Sequence, residues 1–322
     1  MKAIRIRAYG GPERLEVEEL PSPDPPPGHV RIRVVAAGVN FIDIYQRTGL
    51  YPVELPYTPG LEVAGEVDAI GPGVSRFRVG DRVASVQARG GYAEQALVAE
   101  DQVVALPEGT EPQTAAAVLL QGMTAHYLVH DTFPLQAGQT CLVHAAAGGV
   151  GLLLVQMASG IGARVLGTVS TEDKARLALE AGADRVIQYT REDFEEAVKR
   201  ETDGRGVAVV YDSVGQATFD KSLRCLAPLG LLALYGQSSG PVAPVDPGRL
   251  AAGGSLFLTR PILFDYIRGH ASLQRRATDV LGQVAGGRLS VRIDRSRPLA
   301  DAAEAHRALE GRHTAGKVLL TP

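Results

Sequence analysis

Only two of the 322 residues are cysteine, Cys141 and Cys225. One falls in a predicted strand and the other in a predicted helix, so buried free thiols are expected and a disulfide is not. No run of about 18 apolar residues is present, so no membrane-spanning helix is expected. Met1 leads straight into the strand-like KAIRIRAY with no signal-peptide core, and the expected location is the cytoplasm. Neither sign of charge dominates: 33 Lys and Arg stand against 36 Asp and Glu, a formal net charge of −3. That balance supplies no electrostatic footprint for nucleic acid or an anionic membrane. No Y-x-x-x-K occurs at any tyrosine, which argues against a short-chain dehydrogenase.

What is present is enough chain for two domains and a change of texture partway along. Up to about residue 108 the segments KAIRIRAY, RLEVEEL, HVRIRVVAAG, LEVAGEVDAIG and DRVASV read as strands, punctuated by glycines and by PSPDPPPG. Short strands at close spacing predict a compact barrel-like domain, interrupted by one helix from Asn40 to Thr48. From Glu111 the chain turns Ala- and Leu-rich, and β and α segments then alternate. Strands are expected at 183–189, 206–214, 230–237 and 255–261, and helices at 193–202 and 217–228. Such alternation predicts a parallel doubly wound sheet. Residues 265–310 read as largely helical before a strand-like KVLLTP. If these last segments rejoin the first domain, the α/β domain is an insertion, with a cleft where the halves meet.

The most informative stretch runs from Thr140 to Gly167, TCLVHAAAGGVGLLLVQMASGIGARVLG. It reads as a buried strand (Cys141-Leu142-Val143), a small-residue turn, an apolar helix over Leu152 to Ser159 and a second strand over Ala163 to Val169. Residues without bulk let the backbone approach a pyrophosphate, whose charge is favoured by amides at a helix N-terminus. Ala145 or Ala146 replaces the first glycine of the usual G-x-G-x-x-G, giving A-x-x-G-x-x-G. The competing reading is small residues packing a helix onto a sheet; strands on both sides favour the dinucleotide.

The second strand is followed by Ser170-Thr171-Glu172-Asp173-Lys174. An NAD site places an acid there to accept from the ribose hydroxyls, whereas a hydroxyl and a cation suit the 2′-phosphate of NADPH. Glu172 and Asp173 oppose NADPH unless they occupy the first turn of the next helix, capped by Ser170 or Thr171. Lys174 has a second reading as a solvated surface residue.

Together, HAAAGGVG, GVNFIDIYQRTGLYP, GLEVAGEV, VVYDSVG, YGQSSG and TRP resemble the NADPH:quinone oxidoreductases, the zinc-free, zeta-crystallin-like branch of the medium-chain dehydrogenase/reductase superfamily. The resemblance covers essentially the whole chain, and NFIDIYQRTGLYP is its most specific piece. It implies an α/β protein in which a Rossmann NADPH-binding domain, 123–262, is inserted in a GroES-like, β-rich catalytic domain made of 1–122 and 263–322. It also implies a homodimer joined through Rossmann edge strands. Asn40 and Tyr45 match residues at the nicotinamide end of the site, and Gly148, Gly149 and Val150 match the pyrophosphate turn. Lys174 and Tyr189 match 2′-phosphate contacts, with Ser170 beside them at the strand end. Thr124, Ser213, Arg260 and Arg312 are implied as further cofactor contacts. Gln237 is another, where close relatives carry the shorter asparagine.

Zinc-dependent relatives place a cysteine in the segment matching GVNFID and a histidine in the one matching PGLE. This chain has Asn40 and Leu61 there, and no thiolate near Gln121-Gly122-Met123. Nor do two cysteines supply a four-cysteine structural lobe. No metal is expected, and His144 reads as a packed or capping residue. Without a metal Lewis acid an ordinary ketone lacks its main electrophilic help. A quinone, whose reduced anion is resonance-stabilised, needs orientation and hydrogen-bond donation instead. Asn40 and Tyr45 are therefore expected to hold the nicotinamide end and polarise the acceptor. Tyr51 either lines the pocket or packs over the proline turn. Two alternatives stay open: an NADPH-dependent enoyl-thioester or enone reductase of the same superfamily, and an NADPH-binding structural or RNA-binding protein. The acidic balance weighs against RNA.

Overall fold

A computed structural model describes residues 1–322. The chain opens with β1 (Lys2–Arg5) and β2 (Glu16–Glu19), paired antiparallel. β3 (His29–Val39) runs into helix α1 (Phe41–Thr48), and β4 (Glu62–Ile70), β5 (Arg82–Ser85), β6 (Gln95–Ala99), β7 (Val104–Ala105) and α2 (Pro112–Tyr127) follow. The alternating section holds β8 (Thr140–Val143), α3 (Gly149–Ile161), β9 (Arg164–Val169), α4 (Glu172–Glu180), β10 (Arg185–Gln188) and α5 (Phe194–Glu201). It continues through β11 (Val207–Asp212), α6 (Phe219–Arg224), β12 (Leu226–Leu234), α7 (Gly248–Ala252) and β13 (Phe257–Thr259). α8 (Leu263–Tyr266), α9 (His270–Ala285), β14 (Ile293–Pro298), α10 (Ala302–Glu310) and β15 (Lys317–Thr321) complete the chain.

These elements form two units, Met1–Met123 with Ile267–Pro322, and Thr124–Tyr266. In the first, β14-β15-β3-β4-β5-β7 form one sheet, and β6 adds to it through β3. The C-terminal strand rejoins the N-terminal part here: Val318, Leu319 and Leu320 run antiparallel to Val39, Gly38 and Ala37. Side chains alternate along β3, so Val30, Ile32 and Val34 share one face. They pack with Val63, Val67, Val83, Val98 and Leu320, each such burial contributing roughly 1.5–3 kcal/mol. β14 lies where helix was expected. Its sequence IDRSRP has no apolar stripe, and parallel pairing with β15 holds it extended.

The second unit is a six-stranded sheet in the order β10-β9-β8-β11-β12-β13, every neighbouring pair parallel. The expected architecture, a doubly wound parallel sheet inserted in a β-rich domain, is the one found. Leu142, Leu166, Ile187, Val210 and Leu232 from the strands meet Phe194 and Phe219 from helices in its core. α6 is shorter than expected, because Leu226 is already drawn into pairing with Val207 of β11. Cys141 and Cys225 are both buried free thiols, pushed up to about 12 by burial. No helix is long and apolar enough to cross a membrane.

Candidate active site

In the second unit the strand order reverses between β8 and β11, and doubly wound sheets bind ligands at the C-terminal strand ends around such a point. The turn after β8 places an alanine where glycine is favoured. Ala145 has φ of 51°, the left-handed conformation that glycine adopts without steric cost. Gly148 is the N-cap of α3, and no side chain closes that helix end. A Cβ on Gly151 would lie 2.2 Å from the Ala145 carbonyl oxygen, so the helix approaches the turn only because this residue is glycine. The result is a helix start with no side-chain cap on its first backbone N–H groups, at Gly149 and Val150, an arrangement that could hold a pyrophosphate.

The end of β9 resolves the cap. Thr171 Oγ1 accepts from the Lys174 N–H at 3.3 Å, so Thr171, not Ser170, caps α4. Glu172 and Asp173 occupy the first turn and pair with Arg191 and Arg176 at 3.5 and 3.2 Å. Tyr189 N–H donates to the Val169 carbonyl at 3.1 Å, and Thr190 Oγ1 donates to the Ser170 carbonyl at 3.0 Å. Ser170, Lys174 and Tyr189 thus gather at the adjoining ends of β9 and β10.

Ser213 and Gln237 follow β11 and β12. Ser238 N–H donates to the Ser213 carbonyl at 3.1 Å, and a Cβ on Gly215 would lie 3.0 Å from Gln237 Cα. Buried Asp212 organises these loops, accepting from the Val214 and Gly215 N–H groups at 2.7 and 3.1 Å and from Thr218 Oγ1 and Ser222 Oγ at 2.7 and 2.9 Å. His144 lies between Thr168 Oγ1 and Ser222 Oγ, 3.0 Å from each, and burial lowers its pKa. It is a packed residue, as expected. Arg260 follows β13, and Thr124 is buried in α2.

Asn40, Tyr45, Tyr51 and Arg312 belong to the first unit. Tyr45 is buried on α1 and meets Tyr51 edge-on, ring centroids 5.2 Å apart, while the Tyr51 N–H donates to the Tyr45 carbonyl at 3.0 Å. Arg312 sits at φ 58° in the turn after α10.

Asn40 is engaged inside the protein. Its amide nitrogen donates to the Gly38 carbonyl at 3.1 Å and to Glu62 Oε2 at 2.9 Å, and its Oδ1 accepts from Lys317 Nζ at 2.8 Å. Both amide hydrogens are therefore committed. Lys317 Nζ also donates to Glu62 Oε2 at 2.5 Å, and Glu62 Oε1 accepts from the Leu120 N–H at 2.7 Å. Strand register builds this cluster: Gly38 lies opposite Glu62, and Val39 opposite Val318.

A second buried chain, absent from the sequence-based expectations, adjoins it. Asp43 Oδ2 accepts from the Asn40 N–H and from Tyr92 OH, both at 2.9 Å; Tyr92 OH lies 3.2 Å from His306 Nε2. Burial raises Asp43 to about 7 and lowers His306 to about 3. The one legible signal was the spacing of Asn40 and Asp43, a helix-start pattern of cap and third residue. His126 and His130, four residues apart on the same helical stretch, bring their ring centroids to 4.5 Å, a pair absent from the sequence-based expectations. No group of three or more His, Cys, Asp or Glu side chains is placed to hold a metal ion.

Residues 26–108 match the alcohol dehydrogenase GroES-like domain family, and residues 149–269 match the zinc-binding dehydrogenase family. A quinone oxidoreductase of Pseudomonas aeruginosa is 46% identical over 323 residues, 100% of this chain and 99% of that protein. A 2-haloacrylate reductase of Burkholderia is 40% identical over 328 residues, 99% and 98% of the two chains. Among solved structures, Escherichia coli quinone oxidoreductase complexed with NADPH superposes with a TM-score of 0.97 at 41% identity, covering 100% of both chains. A mycobacterial protein complexed with NADPH does so with a TM-score of 0.97 at 46% identity, again over 100% of each. On this full-length similarity, the chain belongs to the quinone oxidoreductase family of the medium-chain dehydrogenase/reductase superfamily.

Proposed function

We propose that this chain reduces quinones with NADPH and needs no metal to do so. The observation that carries the cofactor assignment is the gathering of Ser170, Lys174 and Tyr189 at the ends of β9 and β10, with both nearby acids turned into the first turn of α4. Family membership supplies the acceptor class. When bound, NADPH supplies the hydride. Gly148, Gly149 and Val150 hold its pyrophosphate through backbone N–H groups, and Ser170, Lys174 and Tyr189 take the 2′-phosphate. Thr124, Ser213, Gln237, Arg260 and Arg312 hold the remainder. Tyr45 and Tyr51 orient a flat acceptor, and hydrogen-bond donation to its oxygen falls to Tyr45. Asn40, with both amide hydrogens committed, positions α1 and leaves that donation to the tyrosine.

We read 123–262 as the cofactor domain and 1–122 with 263–322 as the catalytic domain. We also propose a cytoplasmic homodimer joined at the sheet edge β13, whose Phe257 is 57% exposed; light scattering in solution tests the dimer.

The deciding experiment follows initial NADPH oxidation by chelator-treated protein with an ortho-quinone, with NADH in parallel. Fast turnover with NADPH, weak turnover with NADH and no effect of the chelator are expected. Tight NADPH binding with no quinone turnover overturns the proposal. The similarity to a 2-haloacrylate reductase favours a second reading, hydride addition to a carbon–carbon double bond polarised by a carbonyl or carboxylate. Turnover of such an alkene without quinone turnover selects it.

A further inference from the structure

Helix α1 carries Tyr45, and its opposite side is tied down by polar groups with no place in the reaction. At 100° per residue, Asp43 and Arg47 lie within about 40° of one another around the helix, and Tyr45 lies about 180° from their midpoint. Whatever fixes Asp43 and Arg47 therefore fixes where Tyr45 is carried.

Arg47 is buried and forked onto Glu310 of α10, Nη2 to Oε1 at 2.6 Å and Nη1 to Oε2 at 3.1 Å. Arg47 Nη1 also faces His306 Nδ1 at 3.4 Å. A guanidinium only donates, so Nδ1 accepts and the proton of neutral His306 is on Nε2. That N–H donates to Tyr92 OH, which in turn donates to Asp43 Oδ2. Every hydrogen bond from Arg47 to Asp43 thus runs in one direction. Asp43 closes the circuit by accepting the Asn40 N–H at the start of α1. Its Oδ1 is buried and has no hydrogen-bond partner, which makes it the oxygen that takes a proton.

We infer that Asp43, acting through Tyr92 and His306, is a positioning residue that fixes the rotation of α1 and so the placement of Tyr45 against the acceptor. The inference rests on the quinone reading for what Tyr45 faces; the anchoring of α1 is independent of it. Protonation of Asp43 removes the anion that holds the Asn40 N–H and the Tyr92 hydroxyl, and loosens the anchor. The groups acting on Asp43 are Tyr92 and Tyr57, Lys317 of β15 and Glu62 of β4; His306 acts through Tyr92, and Arg47, on the same helix, through His306. Burial is what raises Asp43 to near neutrality; the hydrogen bonds from Asn40 and Tyr92 and the attraction of Lys317, itself paired with Glu62, offset it only in part.

The test uses the full chain. The kcat for an ortho-quinone is followed from pH 5.5 to 9, and hydrogen exchange of the 41–48 segment, corrected for intrinsic rate, over the same range. In the unaltered protein both are expected to change with a midpoint near 7. Asp43→Asn abolishes that midpoint in both. Tyr92→Phe, which keeps the ring and removes one donor to the carboxylate, moves it to higher pH and lowers kcat about tenfold with KM for NADPH unchanged. Loss of packing alone produces neither shift. An Asp43→Asn protein with the original profile and the original exchange overturns the inference, as does a Tyr92→Phe midpoint that stays in place if Asp43→Asn does not fold. Absence of quinone turnover at every pH defeats the quinone reading instead, and the exchange data then decide the anchor by themselves.

Discussion

Lys317, in the last strand, reaches Asn40 across 277 residues of sequence, Nζ to Oδ1 at 2.8 Å, and both are enclosed with Glu62. The ammonium is 1% exposed and its carboxylate partner 0%. A close-packed glycine makes room for them: a Cβ on Gly38 would stand 2.3 Å from Glu62 Oε2 and 2.8 Å from Lys317 Cε. Removing one member of a buried pair strands the other charge, at about 3–5 kcal/mol. Lys317→Met is therefore expected to lower the unfolding midpoint sharply. Combining it with Glu62→Gln should restore part of the loss, because no lone charge remains. Thermal melts of the two single variants and the double variant measure this coupling.

The acid and alkaline limbs of stability should separate by residue. Asp43 binds its proton more tightly when folded, about 7 against 3.8. Its contribution is thus full below about 4 and is lost as pH rises through 7. His306 binds its proton less tightly when folded, about 3 against 6.5. Its contribution is present above 6.5 and lost as pH falls towards 3. Each is worth on the order of 4 kcal/mol at full extent, and the two offset between pH 4 and 6.5. Asp43→Asn should gain on the unaltered protein between pH 5 and pH 8, whereas His306→Gln should gain on it between pH 6.5 and pH 4. Urea unfolding at those four pH values checks both signs.

At the cofactor turn two substitutions should act in opposite directions. Gly151→Ala places a methyl group 2.2 Å from the Ala145 carbonyl oxygen, and NADPH affinity measured by fluorescence titration should fall by at least tenfold. Ala145→Gly relieves the positive φ of 51° and should raise stability by about 1 kcal/mol with binding retained.

Lys174→Met should erode the choice of cofactor while leaving the turn intact. A charge-assisted contact to the 2′-phosphate is worth about 1.5–3 kcal/mol, so the ratio of kcat/KM for NADPH over NADH should fall by roughly ten- to a hundredfold. An unchanged ratio would return Lys174 to the solvated surface.

The α/β section was legible because its signals are local. Apolar runs alternate with helices, a small-residue turn joins β8 to α3, and Thr171 stands one residue before two acids that suit a first helical turn. The strand β14 was not legible, since nothing in IDRSRP favours extension until β15 lies beside it. Asn40 stood out in the sequence as a residue for the nicotinamide end, but its internal partners did not. The spacing of Asp43 from Asn40 suits a helix start, and nothing local to His306 or Lys317 marks their enclosure.

What the sequence determined alone was therefore the order of the elements outside β14, the parallel sheet, the small-residue turn and, through motifs spread along the whole chain, the family. The elements and the turn depend on residues within about 30 positions of one another, where periodicity and steric demand act directly. Tertiary structure decided the ionic state and purpose of the buried polar groups. Asn40, Glu62, Tyr92, His306 and Lys317 meet only once β3, β4 and β15 are in register and α10 packs beside them. Charge and hydrogen-bond direction follow from that enclosure, because desolvation acts on a side chain's surroundings and not on its neighbours in sequence.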